Sequence, residues 1–99
     1  MATGTKAAPG VLSEALAAIL RAQIARKKLL QSEIAEAAHM SQGQLSGVLN
    51  AKKHIDLEKL DQLCWVLGLD FWKVIQEADQ EVTDRQIRKE WTTRSLVQD

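Results

Sequence analysis

Apolar positions recur at helical intervals along this chain, and the breaks in that rhythm divide it into five segments. Leu12, Leu16, Ile19, Leu20 and Ala22 or Gln23 give an apolar side to a first helix over 11–29, capped by Ser13 or the residues before it and ending on the basic run Arg26-Lys27-Lys28. Leu30, Ile34, Ala37 and Ala38 mark a second helix, and Leu45, Val48 and Leu49 a third over about 41–50. In a fourth, over 57–67, Leu60, Leu63, Cys64 and Leu67 share one face, with Asp56 as its cap and Gly68 at its exit. Asp70 caps a fifth helix from 71 to about 78 that turns Phe71, Val74 and Ile75 to the core. The expected fold is all-α: five helices over 11–78, a flexible N-terminal arm over 1–10, and a tail over 79–99.

The second and third helices are the informative pair. In LQSEIAEAAHMSQGQLSGVLN, residues 30–50, each is opened by a glutamine, Gln31 and Gln42, and only His39-Met40-Ser41 lies between them. Ser41 is a good N-cap, because its hydroxyl can accept a hydrogen bond from a free backbone N–H of the next turn. So short a connection makes the helices cross steeply instead of lying antiparallel. That is the geometry of a helix-turn-helix, whose second helix enters the DNA major groove by its N-terminal residues. Gln42 leads that entry.

Composition narrows the function classes. A chain of 99 residues can close the core of one small helical bundle. No apolar run approaches the roughly 20 residues that cross a bilayer, and the start lacks a signal-peptide core, so the expected location is the cytoplasm or nucleoid of a bacterial host. The single Cys64 excludes an intrachain disulfide, and no Cys/His cluster has metal-ligand spacing, so neither metal nor cofactor is implied. An enzyme is not expected, since a Gly-rich phosphate loop, a paired nucleophile and base, and a convergent carboxylate set are all missing from the sequence. The net charge of zero conceals a dipole. Residues 1–54 hold seven basic groups (Lys6, Arg21, Arg26, Lys27, Lys28, Lys52, Lys53) against three acidic ones, whereas 55–99 hold six against ten. Positive charge therefore sits in the half with the helix-turn-helix pattern, as contacts to phosphate require.

From about Leu12 to Ile75 the residues resemble the lambda-repressor, Cro and XRE group of five-helix DNA-binding domains. The resemblance rests on Gln31-Ser32-Glu33-Ile34-Ala35 opening the second helix, Met40-Ser41-Gln42 opening the third, Asn50 closing it, and Leu60-x-x-Leu63-Cys64-x-x-Leu67-Gly68-Leu69-Asp70. It implies a transcriptional repressor, of phage immunity type or bacterial, that controls lysogeny or its own operon by binding double-stranded operator DNA as a homodimer. It also implies roles. Gln31 matches a glutamine that binds phosphate and braces its counterpart at the start of the third helix; Gln42 matches that counterpart, which reads adenine. A carboxamide suits the task, with donor and acceptor side by side to meet N6 and N7. Gly43, Gln44 and Ser46 fall within reach of the bases. Ser41, Asn50, Lys52, Lys53 and Lys28 are placed to touch phosphates, and Lys6 in the arm is placed to wrap the duplex.

Three departures from the family pattern bear on the site. Position 39 is usually glycine, so His39 is expected to take positive φ under strain. Gly43 and Gly47 stand where other members present long base-reading side chains; a simple recognition site with fewer readers, close backbone approach, a packing need and plain tolerance are the open explanations. His54, in the basic loop, reads as a solvated surface histidine with a phosphate contact as the alternative.

The tail poses the remaining question. Trp65 and Trp72 fall off the apolar faces of their helices and are expected to be partly exposed. Thr83-Asp84-Arg85-Gln86 reads as a capping box for a sixth helix, outside the resemblance, that carries Ile87 and Trp91 along one face to about residue 96. Such a helix could cover the two tryptophans, pair with a second copy, or lead to another domain. The competing function is an antitoxin that represses its own operon and covers a toxin with residues 82–99. A protein-interaction module without DNA binding is the third reading; it has no use for Gln31 and Gln42. No membrane or small-molecule partner is implied.

Overall fold

Five α-helices form the computed structural model, which describes residues 9–84: α1 (Val11–Lys27), α2 (Gln31–Ala37), α3 (Gln42–Leu49), α4 (Leu57–Leu67) and α5 (Phe71–Val82). No strand occurs among the described residues, in keeping with the all-α expectation. Most of the arm and the expected sixth helix from Arg85 onward lie outside the described residues.

The helices start where short polar side chains can take up free N–H groups. Ser41, Asp56 and Asp70 each accept from the N–H three residues on, at 3.0, 2.8 and 3.1 Å. Of the two caps expected for α1, the structure takes the one before Ser13: the N-cap is Gly10, with no side-chain cap, and Ser13 sits inside the first turn. Leu30 at the start of α2 is likewise extended and offers no side-chain acceptor, though its N–H donates to Glu33 Oε1 at 3.4 Å.

The ends of α1 to α4 share one device. A residue with positive φ (Lys28 at 56°, His39 at 57°, Ala51 at 55°, Gly68 at 71°) follows each helix, and its own N–H and that of the next residue bond back to carbonyls of the last turns. The pairs are Lys28 to Ala25 and Leu29 to Ile24, His39 to Glu36 and Met40 to Ala35, Ala51 to Val48 and Lys52 to Gly47, Gly68 to Trp65 and Leu69 to Cys64. This is the Schellman motif, which satisfies carbonyls that a helix end leaves open. Only α4 spends a glycine on it. At three of the four ends the residue after the left-handed position is apolar and packs on the core: Leu29, Met40 and Leu69. After α3 it is Lys52, exposed, so that loop is steered outward. The device also stops α1 at Lys27 instead of the expected 29.

Leu20, Ile34, Leu45, Leu60, Leu63, Leu67 and Val74 form the fully buried centre, to which every helix contributes. α1 packs on α5 and α3, and α4 packs on α2 and α5. Three residues expected on apolar faces are exposed instead, Leu12, Leu30 and Ala37, and of the pair Ala22 or Gln23 it is Gln23 that is buried. The face α1 buries is rotated toward Ala15, Leu16, Ala17, Leu20 and Gln23. Gln23 is admitted because its Nε2 donates to the Leu67 carbonyl at 2.9 Å while its Oε1 accepts from Arg26. α5 runs a turn past the expected 78, since Val74, Ala78 and Val82 continue one buried row. Thr83 therefore keeps helical angles, φ −60° and ψ −46°, and cannot be the extended N-cap that the capping-box reading assigned to it.

Cys64 is buried in the α4 face, as expected of a small apolar side chain. Burial, with Asp61 and Asp70 nearby, pushes its thiol from 9.0 up to about 11. It stays protonated at neutral pH and is a poor nucleophile. Among the described residues no helix is long and apolar enough to cross a membrane.

Candidate nucleic-acid interface

Leu45, Val48 and Leu49 bury one side of α3, which by helical geometry turns Gly43, Ser46, Gly47 and Asn50 outward, with Gln42 on one flank and Gln44 on the other. The two glutamines differ in freedom. Gln44 completes a capping box: its N–H donates to Ser41 Oγ at 3.0 Å, and its Oε1 accepts from the Ser41 N–H at 3.0 Å. It is tied to the turn. Gln42 is exposed and has no hydrogen-bond partner among the described residues, so both ends of its carboxamide are open.

The far end of α3 is also braced. Asn50 Nδ2 donates to the Ser46 carbonyl at 3.0 Å and lies 3.4 Å from its hydroxyl, while Asn50 Oδ1 has no partner among the described residues. The loop then doubles back, with the Lys52 and Lys53 N–H groups both on the Gly47 carbonyl at 2.8 and 3.1 Å. The aliphatic stem of Lys53 packs on α3 at Gly47, where an added Cβ would meet its Cδ at 2.7 Å and Cγ at 2.8 Å. Gly43 has no such neighbour: its nearest atom is Ser41 Oγ at 3.9 Å. The two glycines thus have different causes, a packing need at 47 and an uncovered backbone at 43.

The placement of α3 against the rest of the domain, set by the packing of Leu45, Val48 and Leu49, is reinforced by two bonds that sequence reading missed. Arg21 Nη1 donates to the Leu49 carbonyl at 2.5 Å, tying the end of α3 to α1. Lys59 Nζ donates to the His39 carbonyl at 3.0 Å, tying the turn to α4. Both join a surface cation to a backbone oxygen distant in sequence, and no local pattern signals that. His39 does take the strained left-handed conformation expected of it.

Of the remaining expected contacts, Gln31 is exposed in the first turn of α2, Lys28 is exposed at the end of α1, and Lys52, Lys53 and His54 are exposed in the loop after α3. Gln31 and Lys28 flank the α1–α2 connection; Gln42, Asn50, Lys52 and Lys53 gather around α3. Trp65 and Trp72 are 86% and 63% exposed, on α4 and α5. Lys6, Ile87 and Trp91 lie outside the described residues.

A helix-turn-helix family model matches residues 20–71, just over half of the chain. Two crystal structures of the clp gene regulator ClgR from Corynebacterium glutamicum share the fold. One is 36% identical with a TM-score of 0.66, over 73% of this chain and 94% of that one. The other is 34% identical with a TM-score of 0.69, over 89% and 93%. No curated protein matches the chain.

Proposed function

The chain belongs to the XRE and lambda-repressor type of helix-turn-helix DNA-binding regulators, and from that premise we propose that it recognises a specific operator as a homodimer and represses transcription by occluding polymerase. Helix α3 of each copy enters successive major grooves, with half-sites about 34 Å apart. Gln42 supplies the adenine readout. Gln31, Ser41, Asn50, Lys28 and Lys52 take phosphates and set the register, joined by Lys6 from the arm. The protein acts in the bacterial cytoplasm at the nucleoid, and neither cofactor nor membrane enters the mechanism.

The observation that supports this reading best is the contrast at the start of α3, where Gln44 is locked into the turn while Gln42 beside it is left unpaired at the leading edge. An unengaged carboxamide on a braced helix needs little reorganisation to meet a base edge. The likeness to a clp gene regulator favours control of cellular genes over the phage lysogeny that the sequence resemblance suggested.

Enrichment of sites from a random duplex library tests the proposal. The wild type should select a palindrome, and Gln42→Ala should lose about 1 to 3 kcal/mol together with the preference at one adenine per half-site. Equal loss on every sequence removes Gln42 as a reader, and an unpaired half-site removes the homodimer. The exposed Trp65 and Trp72 favour a second reading, in which another protein covers them, as in an antitoxin. Co-purification of a small partner that protects the C-terminal segment from proteolysis distinguishes it.

A further inference from the structure

We infer that Lys53 is a second base-reading residue, aimed at guanine, and that Gly47 is the positioning residue that makes room for it; the inference rests on the DNA-binding reading of α3. A lysine that only meets phosphate has no need to lay its stem on the recognition helix. The Lys53 stem does lie against that helix at Gly47, and it occupies the volume a side chain at 47 would fill, with Cε at 3.2 Å from the position of an added Cβ. Gly47 is half-buried beneath that stem, and glycine is among the poorest helix formers, so its presence in the body of an eight-residue helix fits a steric requirement.

The backbone sets the path of the stem. Ala51 turns left-handed, two consecutive N–H groups hook onto the Gly47 carbonyl, and Arg21 holds the carbonyl of Leu49 just before the turn. The Lys53 ammonium makes no hydrogen bond or ion pair with a described residue, so its three donors are available. On a stem seated at Gly47, on the outward side of α3, they match the paired acceptors O6 and N7 of guanine. Gln42 and Gly47 are five residues apart, about 7.5 Å along the axis. The guanine therefore falls about two base pairs from the adenine of Gln42, at roughly 3.4 Å per step.

The experiment is the same random-library selection, run with the full chain as wild type, Lys53→Met, Gly47→Ala, the double variant and Lys52→Met, beside their melting curves and salt slopes. The wild type should select a guanine at that spacing. Lys53→Met, which keeps the stem and removes the charge, should lose roughly tenfold in preference there and keep the adenine. Gly47→Ala retains the ammonium and displaces the stem; it should lose the same guanine with its salt slope intact and its melting temperature unchanged or higher. The double variant should add nothing to the loss at that position, and Lys52→Met should weaken all sequences alike. An unaltered motif in Lys53→Met, with uniform weakening, makes Lys53 a phosphate contact and overturns the assignment. An unaltered motif in Gly47→Ala overturns the positioning role. If the wild type selects no motif, the DNA reading itself fails and this inference falls with it.

Discussion

The body of α1, α4 and α5 and the unit of α2, α3 and their following loop are built on different principles. The body helices have 17, 11 and 12 residues and hold one another through packed side chains, chiefly Leu20, Leu60, Leu63, Leu67 and Val74. The reading helices have 7 and 8 residues, too few to be stable alone in water. They bury Ile34, Ala35, Leu45, Val48 and Leu49 on one side, and on the other are shaped by backbone devices: the Ser41–Gln44 box, and left-handed residues at 39 and 51 that bracket α3. Packing fixes where α3 stands, whereas capping fixes what it shows. A face excused from stability is free to present glycines and an unpaired glutamine.

The comparison breaks most visibly at Leu63, which is 0% exposed in the middle of α4. Leu63→Ala should cost about 2 to 5 kcal/mol of folding free energy, since transfer and cavity terms add. DNA binding should then fall with the folded fraction on every sequence equally. Gln42→Ala should do the opposite, leaving the urea midpoint in place while changing the selected site. A Leu63→Ala midpoint close to wild type removes the body as the anchor of α3.

A smaller effect belongs to the polar clamp inside the body. The N–H groups that follow α4 bond to Trp65 and Cys64, so the Leu67 carbonyl depends on Gln23. Gln23→Ala leaves that carbonyl without its partner beside the core, and a loss of about 1 to 3 kcal/mol follows. Gln23→Leu, which restores volume but not the donor, should recover little of it. Full recovery by leucine in urea unfolding shows the site to be one of packing alone.

Periodicity made the body legible in the sequence, because leucines at i, i+3 and i+4 leave little choice of face in α4. α1 was harder. Its alanines are compatible with several faces, and a polar Gln23 competes with Ala22 for the same place, so the stripe of the sequence includes Leu12 and omits Ala15 and Ala17, which the structure buries. In the reading unit Gln31, Ser41 and Gln42 were legible through caps and resemblance, and His39 through a missing glycine. Lys28 and Ala51 were not, because a Schellman end closed by lysine or alanine has no compositional mark. The engagement of Gln44 with Ser41, and of Lys53 with Gly47, is side-chain geometry that spacing alone cannot express.

The smallest effect sharpens the comparison at the turn. His39 is held at φ 57°, a conformation that costs an L-residue about 1 to 2 kcal/mol and glycine almost nothing. Glycine also loses more freedom on folding, by about 0.5 to 1 kcal/mol, so His39→Gly should gain no more than about 1 kcal/mol. His39→Val, whose branched side chain fits this region worst, should lose more than 1 kcal/mol. The Lys59 bond goes to the backbone carbonyl of residue 39, which any side chain leaves in place. Glycine should therefore keep α3 in position and the selected site unchanged. Urea midpoints of the pair, with the selection repeated on His39→Gly, measure this directly. A midpoint lowered by glycine means that the imidazole itself supports the turn, and the strain that separates the reading unit from the body is then smaller than its backbone angles imply.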